Sequence, residues 1–163
     1  MSAYRKYLFF LMTFIVSAFV FACDNPEPDN AKESPDSKYA DVVSVSVAGS
    51  EGEYLFAVGI SSPDTGCEQF ADWWEIIDEN EWLVYRRILR HSHVNEQPFT
   101  RSGSPVNIAA DQKVWIRAHM NNAGYGGKVF FGSVDDGFEV QKISESFGLS
   151  LDQEEPLPDG CDF

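Results

Sequence analysis

The sequence predicts an all-β fold, a single two-sheet antiparallel sandwich of about seven strands. Short runs of alternating apolar and polar residues recur between turn signals, about every 8–12 residues. No long stretch carries the 3.6-residue apolar period of a helix. The strand-forming part covers about 100 residues, enough for one core but not two domains.

Each strand can be read in order. In Asp41 to Ala48, Val43, Val45 and Val47 alternate with Ser44 and Ser46, the pattern of a half-buried strand. Tyr54 to Ile60 places Tyr54, Phe56, Val58 and Ile60 on one face, and Gly49 and Gly52 before it suit a hairpin turn. Phe70 to Asp78 holds Trp73, Trp74, Ile76 and Ile77, and alternation alone does not say which tryptophan faces the core. Trp82 to Leu89, Pro105 to Ala109 and Lys113 to Met120 follow, the last with Val114, Ile116, Ala118 and Met120 on one face. Gly124-Tyr125-Gly126-Gly127 reads as a hairpin turn into Lys128 to Val134, and Phe138 to Ile143 could add an edge strand. A tryptophan in the third strand and a tight turn between the last two resemble immunoglobulin-like and fibronectin-like domains. That likeness implies a fold and carries no function.

The N-terminus has a different character. Arg5 and Lys6 precede an apolar run, Tyr7 to Ala22, without an acid or base. This is the charged and hydrophobic build of an export signal, shorter than the roughly 20 residues of a membrane-spanning helix. It ends in Val20-Phe21-Ala22-Cys23, which resembles the lipobox of bacterial lipoproteins; Phe21 stands where a small residue is usual. The resemblance implies cleavage before Cys23, lipidation of that cysteine, attachment to a membrane, and a place in the cell envelope, periplasmic or surface-exposed. Stable anchoring needs more than one acyl chain, at about 0.8 kcal/mol per buried methylene. Asp24 to Ser37 then lacks any large apolar residue and reads as a disordered acidic tether, so that the folded domain spans 39–163.

Charge and cysteines narrow the function classes. The chain carries a formal −14, and losing Arg5 and Lys6 with a leader would take it to −16. Such a charge repels nucleic acid, which is not expected as a partner. With Cys23 assigned to lipid, Cys67 and Cys161 remain, and an oxidising compartment favours a disulfide between them over two free thiols. It would staple the acidic tail, with its Pro156 and Pro158, to the loop holding Cys67.

No catalytic motif stands out: there is no Gly-x-Ser-x-Gly, His-Glu-x-x-His or phosphate-cradling loop. Asp135-Asp136-Gly137 lacks the ligand spacing of a calcium loop and reads as a turn. The only histidines are His91, His93 and His119. The first two share a face of an extended segment. If the strands Trp82 to Leu89 and Lys113 to Met120 share a sheet, all three could gather as zinc or copper ligands, with Glu96 the nearest carboxylate. Arg86, Arg87, Arg90, Arg101 and Arg117 all fall between Trp82 and Met120. Arg90, Arg101 and Arg117 are the candidates to contact a small anionic ligand, since guanidinium pairs bidentately with carboxylate and phosphate; internal pairing with Asp and Glu is the alternative. The polar segment Arg90 to Gly103 reads as a loop on a rigid scaffold, where functional groups concentrate.

Three functions remain open. One is a lipid-anchored envelope module that binds a ligand or protein partner through the loop 90–103 region. Another is a metal-binding lipoprotein using the three histidines. The third is an envelope enzyme with His91 or His93 in acid–base chemistry.

Overall fold

The computed structural model describes residues 38–162, all within the C-terminal unit Ser34–Phe163. The expected leader, the lipid-acceptor Cys23 and the tether up to Ser37 lie outside the described residues. Eight strands form: β1 (Asp41–Ala48), β2 (Leu55–Ser61), β3 (Ala71–Asp78), β4 (Leu83–Ile88), β5 (Phe99–Ser102), β6 (Val114–Met120), β7 (Val129–Ser133) and β8 (Gly137–Gln141). They make a three-stranded sheet ordered β1-β2-β5 and a five-stranded sheet ordered β4-β3-β6-β7-β8, all antiparallel. The chain changes sheet after β2, β4 and β5, which gives the immunoglobulin-like sandwich that the strand pattern predicts.

The core lies between the sheets and follows the period-2 reading closely. Tyr54, Phe56, Val58 and Ile60 meet Val114, Ile116, Ala118 and Met120 there, and all eight are buried. On β3 it is Trp74 that joins this core, beside Ile76 and against Tyr85 at 5.5 Å between ring centres. Trp73 points to the other face of the same sheet, yet only 3 % of it is exposed. Indeed every residue from Ala71 to Ile77 is buried. A strand buried on both faces implies a third layer of structure.

That layer is the C-terminal segment, and a buried ion cluster holds it. Glu75 on β3 is paired in register with Arg86 on β4 and with Arg117 on β6. Arg86 Nη2 donates to Glu75 Oε2 at 2.6 Å, and Arg117 Nε donates to Glu75 Oε1 at 2.7 Å. All three side chains are almost wholly removed from solvent. One carboxylate between two guanidiniums leaves a net positive charge in a low-dielectric place, which is costly unless other dipoles answer it. Main-chain carbonyls of the tail supply them. Arg86 donates to the carbonyls of Leu151, Glu154 and Pro156, and Arg117 to those of Phe147 and Gly148. The tail's short 3-10 helix, Leu149–Gln153, contributes one of these acceptors, Leu151, which is also buried. The Cys67–Cys161 disulfide, with Cα atoms 5.6 Å apart, fixes the far end of the same segment.

Three strand expectations need correction. Val43 is exposed, because a register shift between Val42 and Ser44 bulges β1 and turns the fully buried Val42 inward in its place. Pro105 to Ala109 is no strand. Val106 and Ile108 are buried, but the stretch pairs only through a single bridge, Tyr54 with Val106. The fifth strand lies instead inside the segment read as loop, at Phe99–Ser102, where Phe99 alone turns inward. Trp82, just before β4, is 68 % exposed.

Replacing Glu75 with Gln keeps the shape and removes the one negative charge of the cluster. Breaking such a cluster costs about 3–5 kcal/mol, and urea denaturation at pH 7 should show a loss of that size. A loss well under 1 kcal/mol would mean that the tail carbonyls suffice alone. Cys161→Ser should lower stability by up to about 4.5 kcal/mol on the chain-entropy account of a loop this long, read in the same denaturation against the reduced wild type, in which the difference should vanish.

Candidate functional site

The connection from β4 to β5 carries His91, His93 and Glu96, Arg101 follows on β5, and Asp64 organises the connection. Asp64, buried in the turn after β2, accepts the His93 backbone N–H at 2.7 Å and the Ser92 hydroxyl at 3.5 Å through one oxygen. Its other oxygen accepts the Ser62 hydroxyl at 2.7 Å and the Ala71 N–H at 3.0 Å. Gln97 closes the other side: its carbonyl oxygen accepts the Ser62 N–H at 2.9 Å, and its amide donates to the His93 carbonyl at 3.2 Å. Short polar side chains in a Ser-Pro-Asp turn bond to main chain readily, but their partner here lies about 30 residues away in sequence. Nothing in the local pattern marks Asp64 or Gln97.

His93 is the unusual group of this loop. Its ring stacks on Phe99 at 3.8 Å and 12°, and the exposed His91 ring lies 4.5 Å from it. Although His93 is buried, neither ring nitrogen has a hydrogen-bond partner. Nδ1 stands 4.0 Å from Asp64 Oδ2, too far for a bond. Burial, with the Arg101 guanidinium and the His91 ring nearby, pushes the His93 pKa below its ordinary value of 6.5 and favours the neutral ring.

Two clefts flank this histidine pair, and His91, His93 and Asp162 line both. The larger, about 650 Å³, is also bordered by Thr65, Val94 and Glu96. The smaller, about 390 Å³, is bordered by Arg87, Arg90 and Arg101. Asp162 is brought there by the disulfide next to it and by its N–H, which donates to the Arg90 carbonyl. Arg101 grips Glu96 with both terminal nitrogens, at 2.7 and 3.2 Å, and lies over the Phe99 ring at 5.3 Å. That hydrogen bonding holds the Glu96 pKa below the usual carboxylate range. Arg87 is engaged by the carbonyls of Ser102 and Ile88. The Arg90 side chain is exposed and makes no hydrogen bond or ion pair with the described residues.

The sequence grouped residues that the fold keeps apart. His119 and Arg117 sit on the tail-covered face of the five-stranded sheet. His119 Nδ1 is 2.7 Å from Asp72 Oδ1, and its ring stacks on Trp73 at 3.6 Å. Strands β4 and β6 do share a sheet, but β3 runs between them. Among the described residues no three His, Cys, Asp or Glu side chains are placed to hold a metal ion, so the three imidazoles do not form one ligand set. Arg117 belongs to the Glu75 cluster rather than to the cleft of Arg90 and Arg101. The Asp72–His119 pair orients an imidazole as general bases are oriented, and burial raises the Asp72 pKa. No hydroxyl or thiol among the described residues is hydrogen-bonded to His119.

The lowered His93 pKa fixes a sign. As pH falls, the unfolded chain takes up this proton first, so His93's contribution to stability is complete above about 6.5 and is lost toward the lower folded pKa. His93→Phe, which keeps a ring on Phe99, should flatten the stability profile between pH 7 and 5 relative to wild type. Parallel profiles for the two proteins would refute the burial account.

Comparison with known proteins adds one finding. No protein-family model matches the chain, and no solved structure does either. Among the described residues no helix is long and apolar enough to cross a membrane. Over 103 residues, 63 % of its length, the chain is 31 % identical to a protein of Halomicrobium mukohataei named "Putative lipoprotein", of which it spans about half, 51 %.

Proposed function

We propose that this protein is a lipid-tethered binding module of the cell envelope that holds an anionic group of its ligand at the His91, His93, Arg90 and Arg101 cleft. The observation that carries the reading is the buried, unpartnered His93 ring beside an arginine whose guanidinium is unengaged. A neutral imidazole offers one N–H donor, Arg90 offers a charged fork suited to carboxylate, phosphate or sulfate, and Arg101, its fork held by Glu96, stands beside it. In a chain of charge −14 this cleft is a local reversal of sign. It is also built on a disulfide-stapled frame, which limits the ordering cost of binding. The tether half of the proposal rests on the leader pattern ending at Cys23 and on the similarity to a protein named as a lipoprotein.

The metal alternative keeps the His91 and His93 pair, whose rings are adjacent, and loses His119. If it operates, zinc or copper should raise the melting temperature of wild type and not of His91→Ala.

Titration of the labelled full chain in neutral nanodiscs with inorganic phosphate and with acetate, followed by NMR, tests the anion reading. Saturable shifts should concentrate at residues 90–96 and 101, and Arg90→Glu should weaken them at least tenfold. Shifts that are diffuse, or that Arg90→Glu leaves unchanged, would count against the site. For the tether, Cys23→Ser should move the protein from the membrane fraction to the soluble one; retention on the membrane would remove that half.

A further inference from the structure

A third cleft, about 660 Å³, opens on the far side of β6 from the histidine pair. One wall is the start of β1 with the turn into β7. There Lys128 donates its N–H to Asp41 Oδ1 at 2.7 Å and its ammonium lies 3.3 Å from Asp41 Oδ2. Close packing sets this wall. A Cβ on Gly127 would come within 1.9 Å of the Ala40 carbonyl oxygen, and one on Gly126 within 2.6 Å of the Tyr39 ring. The opposite wall is the stretch after β8, with Lys142, Ile143 and Phe147.

The chemistry of the two walls differs from that of the histidine clefts. Val129, Ile143, Phe147 and the Tyr125 ring make an apolar interior, while Lys128 and Lys142 stand at the polar margin. At the inner end lies the Arg117 guanidinium, stacked 3.4 Å from the centre of the Tyr125 ring. Its Nε and one hydrogen from each terminal nitrogen are spent on Glu75, Phe147 and Gly148. Among the described residues the other two hydrogens have no acceptor, and the group is already fixed in place. The buried Tyr125 hydroxyl is within electrostatic reach of Glu75, yet it makes no hydrogen bond of good geometry. Buried polar atoms without partners are rare and call for an explanation. Three cations line the cleft against two carboxylates, Asp41 and Glu145, so its lining carries one net positive charge, and Lys142 with the spare Arg117 hydrogens can meet a negative group.

We infer that this cleft binds an amphipathic organic anion, an apolar ring or short chain ending in one carboxylate or sulfonate. The apolar body fills the space between Val129, Ile143 and Phe147, and the anionic end faces Lys142 and Arg117. A volume of this size suits a small organic molecule. The site is independent of the histidine clefts and shares no lining residue with them.

Naphthalene-2-sulfonate is a suitable probe, titrated calorimetrically into the full chain in neutral nanodiscs with empty nanodiscs as the blank. Saturable binding above the blank is expected, with 2-naphthol binding at least tenfold more weakly. Lys142→Glu and Ile143→Asp lie at an exposed and a half-exposed position and should each lower affinity at least tenfold, while Arg90→Glu should not. Binding that is absent, that ignores both cleft variants, or that is lost with Arg90→Glu would overturn the assignment. A normal circular dichroism spectrum for each variant shows that loss is not unfolding.

Discussion

The structure depends on one carboxylate. Glu75 sits in the middle of β3, in register with an arginine on each neighbouring strand, and none of the three side chains reaches solvent appreciably. A bare pair of buried guanidiniums would be prohibitive, and a single carboxylate does not balance them. The deficit is met by five carbonyls of the segment from Phe147 to Pro156, which therefore has to lie across the sheet. Cation–π contacts extend the arrangement: Arg86 covers Trp73 at 4.5 Å, Trp73 stacks on His119, and Arg117 covers Tyr125. Charge satisfaction, beside the buried Leu151 and the Phe147 ring against Trp115, joins the third layer to the sandwich.

The three clefts inherit their form from this layer. On one side, the tail continues from Pro156 to the disulfide at Cys161 and places Asp162 between the two spaces beside His91 and His93. On the other, the carbonyls of Phe147 and Gly148 that fix Arg117 belong to the stretch that forms a wall of the third cleft. Each candidate binding surface is thus bordered by chain that a bare sandwich would leave loose. Stapled by the disulfide, such bordering limits the entropy that a ligand must overcome.

What could be read from the residues, and what could not, follows from the number of layers. The two inner faces obey simple alternation, so Phe56, Val58 and Ile60 opposite Ile116 and Ala118 were legible. The pairing of Cys67 with Cys161 followed from counting thiols in an oxidising compartment. Arg117 and His119 were legible only as the opposite face of their strand, and alternation left open which of Trp73 and Trp74 faces the core. Alternation says that such residues leave the core, and it does not say that a tail then covers them. Arg117 consequently looked like a ligand contact alongside Arg90 and Arg101, although a carboxylate two strand positions from Trp73 had claimed it. Strand β5 was hidden for a related reason: Thr100 and Arg101 carry no apolar signal, and only the pairing to β2 makes them a strand. The bulge at Val42 likewise shifts one residue of β1 without leaving any mark in its valine–serine alternation.

Native-state hydrogen exchange on the intact, oxidised chain tests the central claim directly, by comparing the tail with the sheet it covers. If the Glu75 cluster binds the tail as a structural layer, the amides of Leu151 and Glu154 should open with free energies within about 1–2 kcal/mol of those of β3 and β6, because local openings of an integrated layer approach the global value. Amides in the tail that exchange freely while β3 and β6 stay protected would show that the carbonyl–arginine contacts do not hold it, and the account of the fold and of the three clefts would fail with them.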